Sequence, residues 1–288
     1  MDAKELIKKV RTIEIKTRGL SRQIFAGEYH SAFKGKGMAF SEVREYQIGD
    51  PIKNIDWHVT ARFNHPYVKI FEEERELTVM LLVDVSSSQD FGTSERLKKD
   101  LVAEVSAVLS FSAIHNNDKI GVIFFSDRVE KFIPPKKGKK HILRIIREMI
   151  DFKPQSNKTN IAEALRYLTN ALKKRCTAFV ISDFIDKHNY LNAMRIAGNK
   201  HDLVAVRVYD ERDGKLPDIG LVRMQDPETG ENMLVDTSRK ALREKYEKDY
   251  KTFASRSVDN FKKSGVDYAE LKTNRDYVKP LIELFKRR

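Results

Sequence analysis

From residue 77 onward the apolar and polar positions fall in alternating blocks that predict strand, helix, strand. Residues 77–83 (LTVMLLV) form a nearly continuous apolar run, as expected of a strand buried on both faces of a parallel sheet. In residues 95–115, Leu97, Leu101, Val105, Val108 and Leu109 recur at the spacing of a helix packed on that sheet. Residues 119–125 predict a second strand, and 129–133 a third that returns beside it as a hairpin. Helices are expected at 141–150 and 161–173, and strands at 178–181 and 203–208. Residues 219–224 and 233–235 flank the turn 226–230 (DPETG), which predicts a second hairpin. A long charged helix, 239–263, then leads to a strand at 266–271 and a last helix ending at Arg288. Such alternation implies an α/β fold built on a doubly wound, mostly parallel sheet.

Upstream the pattern changes. Residues 5–25 suit one or two short amphipathic helices. Residues 27–76 hold Gly27, Gly35, Gly37, Gly49, Pro51 and Pro66, with short alternating runs such as 67–71, and predict a small β-rich subdomain. Three parts are therefore expected: a helical segment at 1–26, the β-rich subdomain at 27–76 and the α/β domain at 77–288.

Composition narrows the class. Of 288 residues, 41% are hydrophobic and 33% charged, which fits a globular chain rather than a disordered one. No apolar run approaches the roughly 20 residues needed to span a bilayer, and residues 1–10 lack the apolar core of a secretion signal. A cytoplasmic protein without a membrane span is expected. The single cysteine, Cys176, opens an apolar run and is expected to be a buried, inert thiol. The net charge of +12 raises the question of nucleic acid. The basic residues, however, are interleaved with acids, as in 240–251 (KALREKYEKDYK), the pattern of a solvated helix face. The dense cluster Lys136, Lys137, Lys139 and Lys140 lacks interleaved aromatics. An acidic protein partner is the better expectation than a specific nucleic acid.

Candidate chemistry lies where strands end. In doubly wound sheets, ligands bind outside the carboxyl ends of the strands. The first strand of the α/β part runs into Asp84-Val85-Ser86-Ser87-Ser88, and 178–181 runs into Ser182-Asp183. Thr159 stands in the loop before the helix that begins near Ile161. Asp84, Ser86, Ser88, Thr159 and Asp183 make an all-oxygen set, suited to Mg²⁺, Mn²⁺ or Ca²⁺ rather than zinc or copper. Each alone has a plain structural role open to it as a cap or turn residue; their joint placement points to a metal.

The same residues resemble the metal-ion-dependent adhesion site of von Willebrand A domains. The upstream run is similar to a bacterial family known as domain of unknown function 58. Phe33-Lys34-Gly35-Lys36-Gly37, Phe40-Ser41-Glu42-Val43-Arg44-Glu45-Tyr46, Gly49-Asp50 and Ile55-Asp56-Trp57 carry that resemblance, continued by Thr60-Ala61-Arg62 and Phe71-Glu72-Glu73-Glu74-Arg75. It implies a von Willebrand A-like fold, a partnership with a MoxR-type AAA+ ATPase, and an adaptor role toward a client protein. It also implies that Asp84, Ser86, Ser88 and Thr159 ligate the ion directly or nearly so, with Asp183 acting through a water. One departure is the threonine loop, Gln155-Ser156-Asn157-Lys158-Thr159, where relatives often have glycines. Lys158 there either weakens the metal's hold or meets an acidic partner. Arg44, Asp50, Asp56, Trp57 and Arg62 are expected to form a buried ion-pair network around the tryptophan, with a partner surface as the other reading.

An enzyme is not expected. A phosphatase of the haloacid dehalogenase type, using Asp84 with Mg²⁺, is the alternative, but that chemistry needs an acid two residues on, where Ser86 stands. Gly-x-Ser-x-Gly and Gly-x-x-x-x-Gly-Lys-Ser/Thr are both missing. His58 and His65 lack companions at zinc spacing.

Overall fold

A computed structural model describes residues 12–13, 39–72, 77–92, 97–226 and 230–288. The expected helical segment at 1–26 lies outside these, apart from Thr12 and Ile13, which are helical. The chain divides into two compact units, one of them Phe33–Leu77 and the other containing the described residues from Thr78 to Arg288.

In the smaller unit, β1 (Ala39–Glu45) pairs antiparallel with β2 (Tyr67–Glu72), with a bulge between Phe40 and Glu42. Between them lies a helix that the sequence pattern did not suggest, α1 (Trp57–Phe63). Its boundaries are local chemistry. The Asp56 carboxylate accepts from the amides of His58 and Val59, and Asn64 closes the helix at φ 55°. The expected network around Trp57 is absent, and this is a correction. Arg44 makes a two-pronged pair with Asp50 at 2.8 and 2.9 Å, while Asp56 takes Lys69 at 3.3 Å. Trp57, at the first position of α1, is 66% exposed.

The larger unit is built on a six-stranded sheet. Its strands are β3 (Thr78–Asp84), β4 (Lys119–Phe125), β5 (Val129–Lys136), β6 (Thr177–Ser182), β7 (Asp202–Tyr209) and β10 (Asp267–Lys272). The order across the sheet is β10-β7-β6-β3-β4-β5, and every pairing is parallel except β4 with the edge strand β5. Counted from β3 this is the doubly wound order 3-2-1-4-5-6, which reverses between β3 and β6. It is the doubly wound arrangement that the alternating pattern predicts and that the resemblance to von Willebrand A domains implies. A separate hairpin pairs β8 (Leu221–Gln225) with β9 (Asn232–Asp236). Residues 227–229 of its expected turn lie outside the described residues.

Helices cover both faces. Met80 and Leu82 of β3 share a core with α4 (Ile161–Ala171), with α5 (Leu191–Lys200) and with Phe261 of α6 (Lys240–Ser264). On the other face Phe179 meets Phe285 of α7 (Val278–Lys286) at 6.2 Å. The helix α2 (Lys98–His115) is buried on nearly every side, rather than along one stripe as its spacing suggested. It contacts β3 and α3 (Lys139–Asp151). Helix α5 is a further element that the pattern did not suggest. Among the described residues no helix is long and apolar enough to cross a membrane.

The register also places the basic cluster. Lys136 pairs with Ile120, at the start of β4, so Lys136, Lys137, Lys139 and Lys140 sit at the opposite end of the sheet from Asp84. Cys176 is there too, buried, with Sγ 3.3 Å from Nδ1 of His201. Burial pushes the thiol up to about 12 and the imidazole down to about 4, so both are neutral at physiological pH. The sequence reading of an inert thiol fits this environment.

Beside Pro134 and Pro135 of the edge strand β5, Gly121 of β4 has no room for a side chain. A Cβ there would meet the Ile133 carbonyl oxygen at 2.7 Å, Met80 Sδ at 2.8 Å and Pro135 N at 2.9 Å. Two of these neighbours are backbone atoms. Gly121→Ala is expected to lower the stability by about 1–3 kcal/mol, read as an earlier urea midpoint with an unchanged slope.

Candidate metal centre

Asp84 is the last residue of β3, at the point where the strand order reverses, and is 2% exposed. Both of its oxygens are fixed. Oδ1 accepts from the Ser86 amide at 2.9 Å, and Oδ2 accepts from the Ser182 hydroxyl, at the end of β6, at 2.6 Å. The chain then turns into a short 3-10 helix at Ser87–Asp90. This turn sets Ser86 Oγ 3.1 Å from Ser88 Oγ. Adjacent ligands of an octahedral ion at ~2.0–2.1 Å stand roughly 2.9 Å apart, so the two hydroxyls have the spacing such an ion needs.

The threonine loop reaches the same place through an unusual amount of bracing. Its Asn157 carbonyl accepts from the Ser87 amide at 3.3 Å, and its Asn160 amide donates to the Ser126 carbonyl at 2.9 Å. The Glu130 carboxylate accepts from the amides of Gln155 and Ser156 at 3.1 and 3.2 Å. On the far side, Asp186 accepts from the Ile161 amide at 2.8 Å. Thr159 is buried and Lys158 exposed.

Asp183 follows β6 and is 1% exposed. It is oriented by strained backbone. Phe184, fully buried, has φ 60°, a conformation that costs a non-glycine residue about 1–2 kcal/mol. In return the Phe184 amide donates to Ser182 Oγ, and the Ile185 amide to Asp183 Oδ1, each at 3.0 Å. The other carboxylate oxygen of Asp183 accepts from Lys98 Nζ, also at 3.0 Å.

Lys98 is the residue that sequence reasoning missed. It opens α2, is 1% exposed, and its ammonium also donates to both oxygens of Asp213, at 3.3 and 3.2 Å. Burial alone would lower its pKa, but the two carboxylates outweigh burial and hold it above the ordinary lysine value. Asp213 is raised, by burial against the opposing pull of Lys98. Asp84 is raised as well, by burial first and then by the charge of Asp183, with the hydrogen bonds from Ser182 and Ser86 working the other way.

Asp84, Ser86, Ser88 and Asp183 are thus linked at one crevice, and the loop of Thr159 is tied to it. Among the described residues no three acidic, histidine or cysteine side chains converge as a metal site. The donors here are mostly hydroxyls. They fit a hard divalent ion, which Asp84 and the two serines would hold directly. Asp183, already held by the Lys98 ammonium, suits the outer position. The buried amide of Gln89, next after Ser88, has no hydrogen-bond partner among the described residues.

The fold is a doubly wound α/β domain of the von Willebrand A-like class. The chain belongs to the family described as "Protein of unknown function DUF58", which matches residues 42–256. It is similar to the uncharacterized protein Mb1516 of Mycobacterium bovis, with 29% identity over 98% of this chain and 89% of that protein. Among solved structures it is similar to the conserved hypothetical protein BatB from Bacteroides thetaiotaomicron, at 14% identity and a TM-score of 0.48 over 73% of this chain and 98% of that one. The SpRpn10 VWA domain matches at 13% identity and a TM-score of 0.42, over 74% and 96%.

Two predictions follow from the electrostatics. A carboxyl raised on folding adds stability that is fully present below its unfolded pKa and lost as pH rises through the folded one. Asp84 therefore weakens the metal-free protein as pH rises out of the ordinary carboxylate range. Asp84→Asn removes that loss. Its metal-free melting temperature should exceed the wild type's at pH 8, by about 2–4 °C for each kcal/mol recovered, with a smaller difference at pH 5. The rise in melting temperature with added Mg²⁺ should vanish in the variant.

Lys98→Met leaves Asp183 and Asp213 buried without their cation. Loss of one partner from a buried pair costs about 3–5 kcal/mol, so the metal-free variant should melt well below the wild type. Because the repelling charge is gone, calorimetric titration should show tighter Mn²⁺ binding than in the wild type.

Proposed function

We propose that this protein is a non-catalytic, divalent-metal-dependent binding module that grips a carboxylate of a partner protein. The ion is Mg²⁺, or Mn²⁺ or Ca²⁺ in its place. The partner is a MoxR-type AAA+ ATPase, for which this chain acts as adaptor toward a client. The observation that carries the reading is the pairing of Asp183 with Lys98 at 3.0 Å beside the Asp84 and Ser86–Ser88 donors. It leaves Asp84 as the single anionic direct donor among neutral hydroxyls. A divalent ion held so keeps uncompensated positive charge, and a partner's Asp or Glu oxygen answers it.

The non-catalytic part rests on what surrounds Asp84. Ser86 occupies the position where phosphatase chemistry uses an acid. Cys176 and His201, a pair that resembles a nucleophile and its base, are neutral and stand at the far end of the sheet. The net charge of +12 favours acidic partners in general.

The test pairs the tagged full chain with the MoxR-type ATPase of the same organism, using wild type and Asp84→Asn in millimolar Mg²⁺. Capture by the wild type and loss of at least tenfold in affinity in the variant is the expected result. Equal capture by both would sink the metal clasp. Aryl-phosphate turnover that disappears in Asp84→Asn would sink the non-catalytic reading.

A further inference from the structure

Beside the metal-site residues lies a cavity of about 600 Å³, within the range of ligand pockets, ~300–1,000 Å³. Ser88, Lys98 and Asp213 are part of its lining, so the cavity shares side chains with the crevice described above. The β8–β9 hairpin supplies another part of its wall. In that hairpin Val222 stands opposite Val235 and Met224 opposite Met233, which puts these four side chains on one face. Val222 and Met224 line the cavity, together with Phe91, Ile185, Leu216 and Ile219.

The remaining lining is strongly charged. Five cationic side chains stand against two acids; with Lys98 and Asp213 set aside as a pair, four cations face Asp226. Arg212, Lys215 and Arg223 are among the cations. The apolar character continues outward on that side: Ile219 and Met233 are each more than half exposed. A contiguous apolar surface of this kind marks a site of association. An occupant must therefore be anionic, must bury large apolar groups, and must be long enough to follow the hairpin.

We propose that this cavity is the side-chain pocket for an acidic peptide segment of the partner, one in which an Asp or Glu adjoins large apolar residues. The carboxylate takes the metal beside Ser88, and the neighbouring Leu, Phe or Met side chain enters between Phe91 and the Val222–Met224 face. Arg212, Lys215 and Arg223 meet further acids of the segment. Lys98 joins the two subsites. Its ammonium bonds Asp183 on the metal side and Asp213 in the cavity wall, and lies 5.8 Å from the centre of the Phe91 ring. This inference rests on the metal-clasp reading, and adds to it the class of segment recognised.

The test uses fluorescein-labelled peptides and the full chain in Mg²⁺, followed by anisotropy. One set places Glu beside Leu or Phe, a second Glu beside Ser, and a third Gln beside Leu or Phe. The first set should bind about tenfold or more tightly than either control, the weight of one buried apolar side chain. Met224→Glu should abolish that advantage and leave the Mg²⁺-induced rise in melting temperature intact. Should Met224→Glu fail to fold, Arg223→Glu, at an exposed position, is expected to weaken binding in the same way. If Glu–Ser peptides bind as tightly as Glu–Phe, or a folded cavity variant binds as the wild type does, the pocket is refuted and the metal clasp stands. If Gln–Phe peptides bind equally well, or EDTA changes nothing, the metal clasp fails and the pocket assignment with it. Absence of binding by every peptide also overturns the proposal.

Discussion

The crevice depends on one buried cation. Lys98 Nζ lies between Asp183 and Asp213, and so binds the start of α2 to the end of β6 and to the segment after β7. Without it, Asp183 and Asp213 would be buried facing one another, with Asp183 beside Asp84, where like charges are costly. With it, Asp183 is held to one side and Asp84 remains the carboxylate nearest the two serine hydroxyls. The lysine thus decides two matters at once. It permits a cluster of acids at the end of the sheet, and it separates them, with Asp183 and Asp213 turned to the ammonium and Asp84 to the serine residues.

Most of the sheet was legible in the sequence because its strands are buried on both faces. Runs such as 77–83 and 203–208 carry that burial in their composition. The helices α1 and α5 escaped notice for a different reason. Helix α1 has no buried residue, so its definition lies in the Asp56 cap and in Asn64 rather than in an apolar stripe, and period alone does not report caps. Helix α5 is short and carries Ile196 on its exposed side, with only Ala193, Met194 and Ala197 buried, so its apolar positions do not trace one stripe.

The site shows the same division. Asp84, Ser86, Ser88 and Asp183 were legible because they follow strands, and the end of a strand in a doubly wound sheet is a fixed place. Lys98 was not. It is one of 54 Lys and Arg residues, and nothing in its neighbours distinguishes a buried lysine from the exposed ones around it. What marks it is the pair of acids at Asp183 and Asp213, 85 and 115 residues away. The buried network expected around Trp57 failed in the opposite sense. Charges of both signs close together in sequence suggested one cluster, whereas Arg44–Asp50 and Asp56–Lys69 close locally and leave the tryptophan outside.

The threonine loop is held by bracing rather than by backbone freedom. It reads Gln155, Ser156, Asn157 and Lys158, none of which has the conformational range of glycine. Compensation comes from acceptors placed around the loop: Glu130 for the Gln155 and Ser156 amides, the Asn157 carbonyl for Ser87, Ser126 for Asn160, and Asp186 for Ile161. A loop braced this way has little conformational entropy left to lose on binding. The strain at Phe184 serves a similar end on the other side of the crevice, since it aims two successive amides at Ser182 and Asp183. Rigid supports on both sides, with a buried lysine fixing the acid between them, make a crevice whose shape is set by the protein's own contacts.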